Sequence, residues 1–381
     1  MESYENSTIP ARMNDHTTLS QQQVYWYTTS LYIIILKSLY LLLCFFLGII
    51  GNLLVIIAIF KYTKLQTVTN FFILNLAITD FMFSAYGIPF IFVTTIAKRW
   101  LLGNVVCELV GFLNLLVMLT SIWTLVMISI NRYLNVAKPN DIKTLYTKRR
   151  TFFIIIAVWV FSGLISFPPF IGWSVFRPDG CFCTFDVQKS KSYTIFIGLF
   201  AYVLPFHILI VLYMRTYFTL NKHKKKTRSN YSNDNSVVSS FTDKFSTLEK
   251  VPVSSVFDQT NRSYTSIIKK ESKCIKYKNS STAESEKTLI IKNFKQVQIT
   301  KTLIILVSGF FICWTPVALG STLYTFDVNF KGFPIMSFGI FCACLSCVIN
   351  PIIYSVMNSN FRKYLFEAWK KLCDCIRCKK D

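Results

Sequence analysis

Acidic residues and histidine are what this sequence has least of. Nineteen Asp and Glu stand against 41 Lys and Arg, only 16% of residues are charged, and three histidines occur in 381 residues. His16, His207 and His223 lie far apart, in the N-terminal tail, in an apolar run and in a basic loop. That scatter removes the clustered acid–base and metal-binding groups on which most enzyme chemistry depends, so the chain reads as no enzyme. His207 alone is expected to be a buried, hydrogen-bonded side chain. A contiguous basic face interleaved with aromatics is missing too, which sets nucleic acid aside as a partner despite the net charge of +22. Nor does a secretory signal open the chain: Met1 to Thr28 is polar, with Glu2, Glu5 and Asp15 against Arg12. The first apolar span is therefore expected to act as the signal anchor.

What the chain has instead is apolar surface, with 52% hydrophobic residues. A helix needs about 20 apolar residues to cross the hydrocarbon core. Seven stretches qualify, at about Ser38–Phe60, Asn70–Ala97, Val105–Tyr133, Thr151–Ile171, Tyr193–Leu220, Ile299–Phe326 and Pro334–Met357. Lys61, Lys64, Lys138, Lys143, Lys148, Arg149 and Arg150 follow spans one and three, and lysines crowd the connection between five and six. By the positive-inside bias these segments face the cytoplasm, and the N-terminus lies outside. The expected organisation is an extracellular tail (1–33), spans one to five (34–220), a disordered basic third cytoplasmic loop (221–298), spans six and seven (299–357), and an amphipathic helix with a cytoplasmic tail (358–381). The fold class is an all-α membrane protein, a seven-helix bundle in the lipid bilayer with an amphipathic eighth helix. Asn6-Ser7-Thr8 is a glycosylation acceptor on the outer tail.

Polar groups inside apolar spans are costly and mark function. Asp80 sits deep in span two, with Asn52, Ser121 and Asn350 as its expected company. A buried carboxylate needs donors or a cation, so this cluster is expected to hold either sodium or water, with no other metal. Arg132 ends span three in Asn131-Arg132-Tyr133 at the cytoplasmic border. Pro205, Pro316 and Pro351 interrupt spans five, six and seven and make natural pivots. Cys107 opens span three on the oxidising outer side, and a bridge to Cys181 or Cys183 in the next outer loop is expected. Cys373, Cys375 and Cys378 follow the amphipathic stretch FRKYLFEAWKK, a setting for palmitoylation; a zinc site there lacks supporting histidines.

Gly51-Asn52, LNLAITD ending at Asp80, Cys107, Asn131-Arg132-Tyr133, Trp159, Pro205 with Tyr213, Cys313-Trp314-Thr315-Pro316 and Asn350-Pro351-Ile352-Ile353-Tyr354 occur in one order along the seven spans. In this the chain resembles the rhodopsin-type (class A) G protein-coupled receptors, over about Ser38 to Leu372 apart from the third loop. The resemblance implies a bundle in which a ligand displaces span six at its inner end and opens a cleft for a heterotrimeric G protein, with arrestin and receptor kinases as further partners. Arg132, Tyr213 and Tyr354 match positions that contact or stabilise that open state.

Within the family the outer loop GWSVFRPDGCFCTFD is similar to the lid of opsins, and its CTFD makes Cys183 the implied partner of Cys107. Trp314 matches the residue packed near the chromophore ring. An opsin needs a lysine on span seven, six residues before the Asn of its NPxxY motif, to form the retinal Schiff base. Here that position is Cys344, and no lysine occurs between Lys331 and Lys363. Val110 replaces the span-three counter-ion, while Asp179 matches the alternative acid in the outer loop. No cofactor is then required, and an ordinary pigment is not expected, although a retinoid held without a bond stays among the ligands. Lys37 and Lys98 read as interfacial residues. Asn131 replaces the usual acid before the arginine, which weakens a lock on Arg132 and implies raised basal activity.

Two further receptor readings compete. Asn131-Arg132-Tyr133 and WLLGNVVCELVGF are similar to melatonin receptors, and a peptide ligand also stays open. Amine receptors fit less well, because Asn114 stands where they carry an acid. From another class, a lipid scramblase or transporter would show flux in liposomes, but the chain has no paired inverted halves.

Overall fold

A computed structural model describes residues 30–139, 141–179, 182–232, 280–326, 328, 335–357 and 359–377. Asn6, Cys181, Cys378 and loop residues 233–279 lie outside the described residues, and Asp179, Cys373 and Cys375 are described by their backbone alone. The elements in order are α1 (Leu31–Lys61), α2 (Val68–Ala97), α3 (Gly103–Ala137), α4 (Lys148–Ser166), the hairpin β1 (Phe176–Asp179) and β2 (Phe182–Phe185), and α5, which begins at Lys191–Gly198 and ends as Leu204–Ser232. Then come α6 (Ser280–Thr325), α7 (Ile335–Met357) and α8 (Ser359–Arg377). Among the described residues α1 to α7 are long and apolar enough to cross a membrane. In lipid every backbone polar group must be satisfied within the segment, so apolar runs of this length fold as helices.

The helices differ from the apolar runs at their ends. α1 begins at Leu31, because helix continues where Lys37 interrupts the apolar count. The helical part of span four stops at Ser166, where Pro168 and Pro169 withhold amide donors and a 3₁₀ turn, Pro168–Ile171, takes over. The third loop is shorter than expected: α5 runs on to Ser232 and α6 starts at Ser280. A hydroxyl opens several elements. Thr67, Thr147 and Ser190 accept from the backbone amides of Asn70, Arg150 and Tyr193, capping α2, α4 and α5.

Proline shapes the bundle by leaving carbonyls without donors. Pro351 removes the amide that Cys347 O would receive in a regular helix, and Asn52 Nδ2 of α1 donates to that oxygen at 2.9 Å. A π turn, Leu199–Val203, precedes Pro205 in α5, and in its i→i+5 register Phe200 O faces a residue with no N–H. The indole of Trp123 in α3 donates to Phe200 O at 3.1 Å. A second π turn, Phe83–Gly87, precedes Pro89 in α2, a kink the sequence reading did not single out.

Packing falls into three buried groups. The inner group joins Val55, Leu76, Leu125, Leu306, Phe310 and Tyr354 with Phe361 and Leu365 of α8. The outer half divides between an α1–α2–α7 group that includes Leu41, Cys44 and Cys344, and an α3–α4–α5 group that takes in Phe176 of the hairpin. Trp159 donates to Asn75 Oδ1, and Asn75 donates to Thr124 Oγ1, tying α4 to α2 and α2 to α3. On α8, Phe361, Leu365 and Ala368 are buried on one face, while Arg362, Lys363 and Lys370 are exposed, so the helix is amphipathic.

α6 and α7 touch most closely beside the α6 proline. A Cβ on Gly339 would lie 2.7 Å from the Val317 nitrogen and 3.0 Å from the Pro316 carbonyl carbon. Backbone cannot yield as a side chain does, so Gly339→Ala is expected to destabilise the protein by about 1–3 kcal/mol through overpacking. A lower melting temperature of the purified protein checks this; an unchanged one contradicts it.

Candidate functional site

The polar residues of the sequence reading assemble along the bundle axis in three levels. At the inner end Arg132 is buried, and its Nε donates to Thr300 Oγ1 of α6 at 3.0 Å. Asn131 does not serve Arg132 in this arrangement; its Oδ1 accepts from Thr69 Oγ1 at 2.9 Å and from Asn135 Nδ2 at 3.1 Å. Tyr213 accepts a hydrogen bond from Ser129 on α3, and Tyr133 is partly exposed. Tyr354 is buried against Phe361, with a hydroxyl that meets no protein partner. The inner ends of α3 and α6 are thus joined through an arginine and a hydroxyl.

At mid-depth Asp80 accepts from Asn350 Nδ2 at 2.6 Å, which offsets part of the cost of burying a carboxylate. Asn52 and Ser121 are buried nearby but bond elsewhere. Asn52 donates to Gly48 O and Cys347 O, and Ser121 donates to Thr79 Oγ1. Asp80 and Ser121 line a cavity of about 20 Å³, whose wall also includes Asn114, Trp314, Met118 and Phe310. That volume suits a water or a small cation.

At the outer end Cys107 and Cys183 form a disulfide that ties the hairpin to α3. Arg177 pairs with Asp186 at 3.0 Å, and the Asp186 carboxylate also accepts from the amides of Gln188 and Lys189. Asp179 pairs in register with Phe182 across the hairpin. Val110 is buried on α3. Cys344 is fully buried among Leu41, Cys44, Ile88 and Cys347, outside the cavity lining. Lys37 lies over the Phe341 ring at 5.2 Å, and Lys98 ends α2 in a left-handed conformation.

One reading is overturned. His207 is exposed on the outer surface of α5, and its Nδ1 donates to Val203 O at 2.8 Å one turn back. Thr300, Thr69, Asp186 and Phe176 are the residues the sequence reading missed.

The family pattern described as 7 transmembrane receptor (rhodopsin family) matches residues 51–354. The chain is 29% identical over 322 residues to an alpha-1A adrenergic receptor of Oryzias latipes, covering 83% of this chain and 63% of that protein. It is 29% identical over 355 residues to a rhodopsin, GQ-coupled, of Mizuhopecten yessoensis, covering 90% and 61%. Melanopsin-B of Xenopus laevis is 36% identical over 194 residues, 49% of this chain and 35% of that protein. The chain therefore spans about two thirds or less of the length of these relatives. Its fold matches the crystal structure of squid rhodopsin with a TM-score of 0.71 at 23% identity, over 91% of this chain and 88% of that one.

Proposed function

Because the chain belongs to the rhodopsin family of seven-transmembrane receptors, we propose that it transmits the binding of an extracellular or membrane-derived ligand to a heterotrimeric G protein. Family membership makes it a receptor rather than an enzyme, and a multi-pass membrane protein. The observation that carries the coupling reading is the buried Arg132–Thr300 contact, which closes the inner ends of α3 and α6 below the proline of α6. A ligand that favours an outward α6 breaks that contact and uncovers Arg132. Nucleotide exchange on purified G protein tests this. The scallop relative is GQ-coupled by name, so a Gq-type α-subunit is the first to try. Receptor kinases and arrestin follow as partners of the active state.

The plasma membrane, with the N-terminus outside, is the proposed location. Lys61, Lys64, Lys138, Lys148, Arg149 and Arg150 at one end of the bundle, and the disulfide at the other, support that orientation. Asn6 is then a glycosylation site, and Cys373, Cys375 and Cys378 are acylation sites beside the amphipathic α8. Sodium or water at Asp80 is the proposed occupant of the middle level.

We also propose that this receptor is not a Schiff-base pigment. The side chain at the lysine position is the thiol of Cys344, packed in an apolar group. A thiol and an aldehyde give at most a reversible hemithioacetal, with no imine cation to shift the absorption. Wild-type protein incubated with 11-cis-retinal is expected to show no stable visible band and no adduct after borohydride reduction. Cys344→Lys restores the amine, and a band and reduced adduct gained in that variant alone would show that the missing lysine is what prevents pigment formation. A reduced adduct on the wild type, which peptide mapping would look for first at Lys37, contradicts the proposal.

A further inference from the structure

The hydroxyls of Tyr202 on α5 and Thr315 on α6 meet at 2.7 Å. Each residue lies close to a proline, Tyr202 three positions before Pro205 and Thr315 directly before Pro316. Thr315 has a single hydroxyl proton, and it goes to Phe311 O one turn back, at 2.6 Å. Tyr202 is therefore the donor of the pair, and the order runs from Tyr202 O–H to Thr315 Oγ1–H to Phe311 O. A threonine that bonds back to its i−4 carbonyl bends a helix. Here the next residue is Pro316, which has no amide to give Ile312 O, so side chain and proline act on the same turn of α6. Phe311 is buried, and the rings of Tyr202 and Phe206 meet its ring edge-on at 5.5 and 5.0 Å.

The α5 side of the pair depends on the π turn Leu199–Val203. That turn holds one residue more than an α turn, and relaxing it would rotate one side of α5 against the other by about 100°. Trp123 of α3 favours the wide form by donating to Phe200 O, which the Leu204 amide would serve in α register. Tyr202, two residues on, then reaches α6. Two side-chain bonds thus join α3 to α5 and α5 to α6, apart from the Arg132–Thr300 contact at the inner end. We propose, resting on the receptor reading above, that Tyr202 and Thr315 form a latch that sets the bend of α6 and so keeps its inner end against α3. Tyr202 is a positioning residue. It acts on the inner contact through the bend at Pro316, about four helical turns along α6 from Thr300. Outward movement of α6 breaks the latch, and loss of the latch favours that movement.

The test reads opening of the inner end without a G protein. Thr216, buried near the inner end of α5, is replaced by cysteine in the full chain in nanodiscs, and a water-soluble methanethiosulfonate is added. Labelling at position 216 rises with the open fraction, however small, and mass spectrometry separates it from labelling of the fully buried Cys344, which reports unfolding. In this background Tyr202→Phe should raise the rate at 216 about fivefold, the effect of one neutral hydrogen bond, and leave Cys344 unlabelled. Thr315→Val should do the same, and Thr315→Ser should keep the background rate. Tyr202→Phe combined with Thr315→Val should match the single changes, because all three remove one bond. Should Thr315→Val fail to fold, Tyr202→Phe and Thr315→Ser decide the matter. A rate at 216 within about twofold of background in Tyr202→Phe overturns the proposal. Effects that multiply in the double variant overturn it too, as does a rise matched at Cys344, which marks general loss of stability. Failure here leaves the coupling reading to stand or fall on nucleotide exchange.

Discussion

Replacing Cys107 or Cys183 by serine is expected to abolish most cell-surface expression. The bond closes 76 residues of chain and ties the hairpin to α3, and its loss typically costs about 2–5 kcal/mol. The consequence here extends beyond chain entropy. With the tether gone, burial of Phe176 on α3 and packing of Phe182 on the α1–α2–α7 group rest on the Arg177–Asp186 pair and on packing alone. Arg177 is half exposed, so that pair is a weak substitute. Surface labelling and the melting temperature of solubilised protein read the effect, and wild-type levels of both in either variant would contradict it. The Cys181→Ser variant is expected to behave as wild type.

Thr300→Val is expected to raise ligand-free nucleotide exchange. The substitution keeps the shape of the side chain and removes the oxygen that accepts from Arg132 Nε. A hydrogen bond to a charged group contributes about 1.5–3 kcal/mol, which would shift a closed–open equilibrium by about 10–100-fold if nothing replaced it. Arg132 has other neighbours and water can reach the inner face, so a rise of about three- to tenfold is the expected result. Asn131 gives no charge to hold the arginine and turns to Thr69 and Asn135, so measurable exchange from the wild type is expected as well. Exchange by Thr300→Val at or below wild type, at matched receptor amounts, would show that the contact does not hold α6.

The seven spans were legible in the sequence because apolar length alone decides membrane crossing. The residues of the axis were legible because a polar group in such a run needs a reason. Partners were harder. Arg132 and Thr300 are 168 residues apart, and no local pattern marks a threonine at the start of the sixth apolar span as the acceptor. Asn52 reads as company for Asp80 by depth, yet the carbonyl freed by Pro351 is the acceptor it serves. Side-chain direction is poorly encoded in a membrane helix, because its lipid face is as apolar as its buried face. Leu39, Leu43, Leu164 and Phe218 are exposed to the same surroundings that make core residues apolar, and His207 was misassigned for that reason. The hairpin had a better signal. GWSVFRPDGCFCTFD alternates large apolar and polar residues around two cysteines, although the burial of Phe176 on Gly111 needed coordinates.

The coupling claim is tested most directly by nucleotide exchange. Purified wild-type receptor in nanodiscs should accelerate GTPγS uptake by at least one class of Gα with βγ, Gq first, and Arg132→Ala should return uptake to the rate without receptor. Wild-type and Thr300→Val proteins that melt cooperatively yet leave every Gα class at its spontaneous rate would contradict the account.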